Sequence, residues 1–560
     1  MYILGLNAYH GDSSACIFKD NKLVAAIEEE RIRRIKHWAG FPSESIKFCL
    51  GECDISIQDV DHITISRDPS ANIYKKITHS IKHAVSLKVL KDRFKNTRKV
   101  NSVKQELSNV FSINEAEIKA EVHNIEHHRS HMASAFFASP FEDSAILSID
   151  GFGDFTSTMI GIGRDKKIEV LDSVVYPHSV GVFYTAFTQY LGFEHYGDEY
   201  KVMGLSPYGR PTLVDKVKDV LIFKSNGLFE INKKYFKHPK EGVSMSWENG
   251  DPFIESIFSD YMVEVFGKAR LKDEEITQFH KDLASSIQKV TEELIFHILN
   301  HLQRGAGMKN ICIAGGVAQN SVANGKILDN TSFDKMYIPP AGHDAGTAIG
   351  SALWLYNHIQ GNDRIEPMQH SFFGSQFSDG EIEDFLKSEN IEYKRYSDKE
   401  LNDKVSDCLI NAGVVGWFQG RAEFGPRALG HRSILADPTR DDAKEILNLK
   451  IKRREVFRPF APSILKEYVA EYFEKVDEVP FMEKVFQIKE SKRELLSAVT
   501  HVDESRRLIR ILSQKSGVPI LLNTSFNENE PIVNTPAEAY ACFARTKMDM
   551  IVMGNIVVEK

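Results

Sequence analysis

The chain has 560 residues, more than a single hydrophobic core organises, so two or three domains are expected, with two large ones as the leading reading. Its 70 Lys and Arg against 78 Asp and Glu leave a net charge of -8, which supplies no overall basic field and disfavours a dedicated DNA or RNA binder. Six scattered cysteines read as reduced thiols of a cytoplasmic protein, no apolar run reaches the roughly 20 residues of a membrane span, and Met1-Tyr-Ile-Leu-Gly-Leu6 opens as a strand without the flanks of a secretory signal.

From the start, Tyr2 to Asn7, Ser14 to Phe18 and Lys22 to Ile27 read as three strands. The polar tip between the first two carries His10, Asp12, Ser13 and Ser14, the arrangement by which folds of the sugar-kinase and actin superfamily hold phosphate. Glu28 to His37 crowds acids beside bases: either a solvated face, or a segment that points Lys36 or His37 at a bound anion. A helix is expected from Ser43, as N-cap, to Cys53, and a strand from Asp61 to Ser66. Between Ala71 and Gln105 basic side chains and apolar Ile73, Ile77, Ile81, Val85 and Val89 at four-residue spacing predict an amphipathic basic helix. Such a helix either packs on the domain or forms a lid over an acidic or phosphorylated partner.

The segment from His127 to Asp154 concentrates the chemistry. His127 and His131 stand four apart, which on a helix puts both imidazoles on one face, as a metal ion requires. Such a pair also occurs as plain surface or core histidine. Ala145 to Ile149 reads as a buried strand, with Asp150 at its end able to join the histidines. Asp150-Gly-Phe-Gly-Asp154 is expected to be a turn whose Gly151 and Gly153 let backbone N–H groups approach a phosphate. Two antiparallel strands then flank Asp165, a helix runs from His178 to Leu191, and Lys201 to Gly209 reads as a loop of active-site character. Residues 222 to 277 look irregular; Leu283 to Leu302 is an amphipathic helix.

Next, a buried strand from Lys309 ends in Gly315-Gly316 and is expected to enter a helix whose N-terminus suits a nucleotide. Pro339 to Gly350 supplies a second glycine-rich helix entry, with Asp344 as the candidate for a further metal carboxylate. A polar stretch from Asn357 to Phe373 reads as the domain connection. Beyond it, a helix from 379 to 388 and a strand from Val414 to Phe418 lead into Gln419 to Ser433, dense in Arg and Gly. Together with the cations of Asn448 to Pro462 and the polar strand end at Pro519 to Asn527, this is an anion pocket by chemistry.

In order along the chain, GLNAYHGDSSA, EEERIRRIKH, HHRSHMASA, SIDGFGD, KVMGLSPYG, AGGVAQN, GHDAGTAIGSA, GRAEFGPRALGHRSILADP, KRREVFRPFAPSIL and LLNTSFN resemble the O-carbamoyltransferase family of antibiotic and nodulation-factor carbamoyltransferases. The resemblance implies an α/β protein. A sugar-kinase/actin-like ATPase-type domain over 1–360, similar to threonylcarbamoyl-transferring enzymes, would transfer the carbamoyl group. A YrdC-like α/β domain over 372–560 would make carbamoyl adenylate from carbamoyl phosphate and ATP with its Mg²⁺.

Carried over by motif, His127, His131, Asp150 and Asp344 become metal ligands, for Fe²⁺ or for another divalent ion such as Zn²⁺ or Mn²⁺. His10, Asp12 and Lys36 become transfer-site residues, with His10 or Asp12 as the base. Gly151, Gly153, Gly315, Gly316 and Asn320 fall in nucleotide-binding positions. Arg421, Arg454, Arg507, Asn523 and Ser525, with Lys450 or Lys452, become carbamoyl phosphate and ATP contacts. The implied partners are ATP, carbamoyl phosphate and a small-molecule alcohol, with no nucleic acid and no membrane; the resemblance leaves room for a homodimer. A tRNA-modifying threonylcarbamoyl enzyme is the rival that the charge balance speaks against, and a small-molecule kinase the one that the Arg-rich second domain speaks against.

Overall fold

A strand hairpin closes where short apolar runs meet across polar turns, and the N-terminus does this twice. β1 (Tyr2–Asn7), β2 (Ser14–Lys19) and β3 (Lys22–Glu28) pair antiparallel, Asn7 with Ser14 and Ser14 with Glu28 at the tip. The computed structural model describes residues 1–82, 102–243, 245–496 and 506–560. It divides into two compact units, Met1–Met368 and Gln369–Lys560, the division falling within the polar stretch from Asn357 to Phe373.

In the first unit, β3 runs into α1 (Glu29–Arg33) and then α2 (Ser43–Gly51). The charged run here is not a solvated face, because Glu28, Glu29 and Arg31 are buried. Ser43 is not the N-cap of α2 either. Pro42 holds that position, and the buried Glu29 carboxylate accepts from the backbone N–H groups of Glu44 and Ser45, satisfying donors the helix start would otherwise leave open. β4 (His62–Ile65) and β5 (Glu121–Asn124) add in parallel beside β1, giving the order β3-β2-β1-β4-β5. Of the expected basic helix, Ile73–Lys82 is helical and Val103–Phe111 forms a helix; residues 83–101 lie outside the described residues.

The second sheet repeats this order. After α3 (His127–Phe136), β6 (Asp143–Gly153), β7 (Thr156–Arg164) and β8 (Lys167–Val175) form an antiparallel meander. After α4 (Val180–Tyr190), α5 (Glu199–Leu205) and the long α6 (Gln278–Ala306), β9 (Asn310–Ala314) pairs parallel with β6, and β10 (Lys335–Tyr337) with β9. Two sheets with one βββ-then-parallel topology are the duplicated architecture of sugar-kinase and actin-like folds. Lys201 to Gly209 is not a loop but the end of α5 followed by a helical turn, Ser206–Tyr208. Residues 222 to 277 carry two short antiparallel ribbons and the helix Asp260–Phe266.

α7 (Thr347–Leu353) wedges between the two halves. A Cβ on Gly350 would stand 1.8 Å from the Ser130 carbonyl of α3, and one on Gly5 of β1 would stand 2.2 Å from the Ala348 carbonyl. Glycine at both places lets backbones meet where any side chain would separate them.

The second unit holds α8 (Asp379–Ser388), whose Ser378 and Glu381 cap each other, then β11 (Lys394–Arg395) and α9 (Asp398–Ile410). Next come β12 (Val415–Phe418), β13 (Arg432–Ala436), β14 (Ala461–Ile464), α10 (Arg506–Ser516), β15 (Ile520–Ser525), α11 (Pro536–Arg545), β16 (Met550–Met553) and β17 (Ile556–Glu559). Their mixed sheet has the order β11-β17-β16-β12-β13-β15-β14, packed by a core that includes Phe418, Ile434, Leu522, Phe526 and Ile551.

Candidate active site

α3 begins directly after the short segment that leaves β5. Glu126 accepts from the Arg129 N–H, and the Asp154 carboxylate accepts from the His127 N–H at 3.0 Å. Nine of the ten helix residues are buried, so the histidines face protein on every side. Burial, with Asp154 nearby, pushes the Glu126 carboxyl up to about 7.

The predicted i,i+4 pair meets as expected, with His127 Nε2 and His131 Nε2 3.1 Å apart. Asp150, from β6, brings Oδ2 to 3.3 Å from His127 Nε2 and 3.2 Å from His131 Nε2. Asp344, from the turn before α7, brings Oδ1 to 3.5 and 3.4 Å from the same nitrogens. Four buried donor atoms therefore converge on one centre. Two imidazole nitrogens facing each other and two carboxylates are a donor set that fits a divalent cation. His10, stacked on His127 at 5.1 Å, sets Nδ1 at 2.6 Å from the other oxygen of Asp344. Burial opposes charge on Asp344, yet His10 and His127 hold its carboxyl well below the usual range. Burial and the two neighbouring imidazoles push His128 down to about 3, and its Nδ1 lies 2.7 Å from the Ser148 hydroxyl.

Gly151 lies where the β6–β7 ladder is interrupted, between Ile149 and Gly153. β6 continues through Gly153, and the chain reverses only at Asp154 and Phe155, both at positive φ. A Cβ at 153 would stand 2.0 Å from the His127 ring, so the glycine makes room for a ligand-type imidazole. Gly315, at φ +107°, opens a helical turn (Gly316–Gln319) and a four-residue helix, Ser321–Asn324, rather than a long nucleotide helix. The Gly316 N–H donates to Asp150 Oδ1 at 2.9 Å and so orients the carboxylate. Asn320 exchanges amide hydrogen bonds with Gln288 of α6 and caps Ala323, which ties up its side chain.

At the hairpin tip Ser13 donates to Gly40 O and Ser14 to Ala345 O. Asp12, in the left-handed region, instead pairs with His37, Oδ1 to Nδ1 at 2.7 Å. Burial opposes the charge on His37, but the Asp12 carboxylate holds it up to about 9. Tyr196 lies edge-on to His37 at 5.4 Å and, with Thr185, Gln189 and Glu199, lines a cavity of about 10 Å³. Lys36 is exposed in the adjoining turn. Arg67 was not singled out by any motif; it donates to Tyr9 O, and burial lowers its guanidinium against the opposing pull of Asp154 and Asp344.

In the second unit several predicted anion-binding cations are engaged by the protein itself. Arg421 donates to Gly374 O and Phe373 O, and Arg454 to Asn448 Oδ1 while stacking on Phe460. Lys452 is 1 % exposed and donates to the Ser525 carbonyl and hydroxyl and to Asn527 Oδ1. Asn523 is buried on the same face of β15 and reaches Ala428 O at 3.5 Å. The side chains of Lys450 and Arg507 lie outside the described residues. Arg427 was passed over. It lies beside Ala428, burial lowers its guanidinium, and among the described residues it has no carboxylate partner. Its signal was present in GPRALG, though nothing in the motif ranks one arginine above another.

Residues 2–353 match the family described as carbamoyltransferase N-terminus, and residues 406–560 the carbamoyltransferase C-terminus. An uncharacterized protein of Synechocystis, sll1178, is 38% identical over 100% of this chain and 97% of its own. The nodulation protein NolNO of Sinorhizobium fredii is 36% identical over 99% of this chain and 80% of its own. The 3'-hydroxymethylcephem-O-carbamoyltransferase of Amycolatopsis lactamdurans is 31% identical over 43% of this chain and 47% of its own.

Proposed function

The chain belongs to the carbamoyltransferase family, and from that premise we propose that it is an ATP-dependent O-carbamoyltransferase acting on a hydroxyl of a small-molecule acceptor, a natural product or sugar. In the second unit, water releases phosphate from carbamoyl phosphate, and an oxygen of the resulting carbamate attacks the α-phosphorus of ATP to give carbamoyl adenylate as pyrophosphate leaves. The acceptor oxygen then attacks the carbamoyl carbon and AMP leaves, in the first unit. The observation that carries the reading is the convergence of His127, His131, Asp150 and Asp344 beside the Asp12–His37 pair.

His127, His131, Asp150 and Asp344 would hold a divalent ion, Fe²⁺ in the family reading, whose chemistry is Lewis-acid polarisation of the carbamoyl group. His10 fixes Asp344 by its 2.6 Å contact, and the Gly316 N–H fixes Asp150. Asp12, kept ionised by the imidazolium of His37, accepts the acceptor's hydroxyl proton. In the second unit, Arg427 takes a phosphate oxygen with its guanidinium, while Lys452, Asn523 and Ser525 shape the wall beside it.

Protein supplied with the metal, ATP and carbamoyl phosphate but no alcohol is expected to yield carbamoyl-AMP and pyrophosphate, read by mass spectrometry. Bound ATP with neither product would remove the adenylate from the reading.

A further inference from the structure

At the far edge of the first sheet stands a second convergence of metal-type side chains. β4 and β5 run parallel with His62 opposite Glu121. His123 lies two residues further along β5, so all three side chains project from one face. His62 Nδ1 and His123 Nε2 are 3.1 Å apart. Glu121 Oε2 lies 3.7 Å from His123 Nε2 and 3.9 Å from His62 Nδ1.

Those last two separations are too long for hydrogen bonds, so the carboxylate is aimed at the imidazole pair without being bonded to it. Ligand atoms about 2.0–2.1 Å from one tetrahedral ion stand roughly 3.2–3.5 Å apart, and a small rotation of the Glu121 side chain, 70% exposed, brings its oxygen into that range. The outer nitrogen of His62 already has a partner. Gln360 Nε2 lies 3.2 Å from its Nε2 while Asn362 donates to the Gln360 amide oxygen; an ion on His62 Nδ1, which leaves Nε2 protonated, requires the Gln360 amide to turn its oxygen toward it.

We propose that His62, Glu121 and His123 form a second divalent metal site, separate from the His127 cluster, that takes a Zn²⁺-class ion with one coordination position left for water. Two imidazoles and one carboxylate select Zn²⁺, Ni²⁺ or Cu²⁺ over Mg²⁺ or Ca²⁺, which need oxygen donors. An ion there staples the edge strand β5 to its neighbour. β5 ends at Asn124 and α3 starts at His127, so the staple braces the strand that launches the helix bearing His127 and His131.

The test is to strip the full-length protein of metal, titrate it with Zn²⁺ against a chromogenic chelator, and count equivalents in the wild type, His123→Ala and Glu121→Gln. His123→Ala is expected to bind one equivalent fewer. Glu121→Gln, altered at an exposed carboxylate that folding does not need, is expected to bind the same ion about 10–100-fold more weakly. Equal numbers of equivalents at equal affinity in all three proteins would overturn the site. If His123→Ala does not fold, the Glu121→Gln affinity decides alone, an unchanged value counting against the proposal.

Discussion

The chain carries its chemical side chains in two very different ways. In the first unit, His127, His131, Asp150 and Asp344 turn their polar atoms toward one another. In the second, Arg421, Arg432 and Lys452 turn theirs toward the protein's own carbonyls. Arg432 is the clearest case, fully buried over the Phe418 ring and donating to Gln419 O, Ser375 O and Gly420 O. A cluster of ligand atoms facing inward defines a site; a density of cations does not, because a guanidinium is also a tool for closing loops.

The contrast breaks most visibly at His131. His131→Ala should lower acceptor carbamoylation by about 10³-fold or more while carbamoyl-AMP still forms in the second unit. Equal loss of both half-reactions would erase the division of labour between the units.

Within the second unit, Arg432→Met should cost about 3–5 kcal/mol of stability, read by denaturant unfolding, because several buried carbonyls lose their donor at once. Arg427→Gln should leave stability nearly unchanged and slow adenylate formation by about 10²-fold. If the two variants exchanged behaviours, the assignment of one arginine to structure and the other to ligand would be reversed.

The smallest effect concerns the Asp12–His37 pair. Folding raises His37 from 6.5 to about 9, so its stabilisation is complete below pH 6.5 and lost as pH rises through about 9. The difference in Tm between wild type and His37→Gln should therefore close across that window. A difference that stays constant from pH 6 to 10 would mean that His37 is not charged in the fold.

The metal-type cluster was legible because its signal is local: four-residue spacing on a helix and a carboxylate at a strand end survive in any tertiary context. The same local reading set a turn over Asp150 to Asp154, whereas the chain reverses only at Asp154 and Phe155, and Gly153 vacates space for a ring 26 positions earlier in the chain. The motif singles out Lys36, and it takes the fold to show that the neighbouring His37 donates from Nδ1 to Asp12 Oδ1, 25 residues earlier in the chain. Among the arginines, only the distribution of backbone acceptors around each one distinguishes Arg421 and Arg432 from Arg427, and no spacing rule carries that information.

The contact between His10 and Asp344 bridges 334 positions. Translation imposes an order on it: His10, His127, His131 and Asp150 leave the ribosome long before Asp344 does, and until then the centre lacks one of its two carboxylates. A nascent chain can assemble the first sheet and the meander of the second, but it cannot complete this cluster. Acquisition of whatever the cluster holds is thus a late step of biogenesis, and a chain cut short before α7 would emerge with both sheets largely drawn and nothing to close the centre between them.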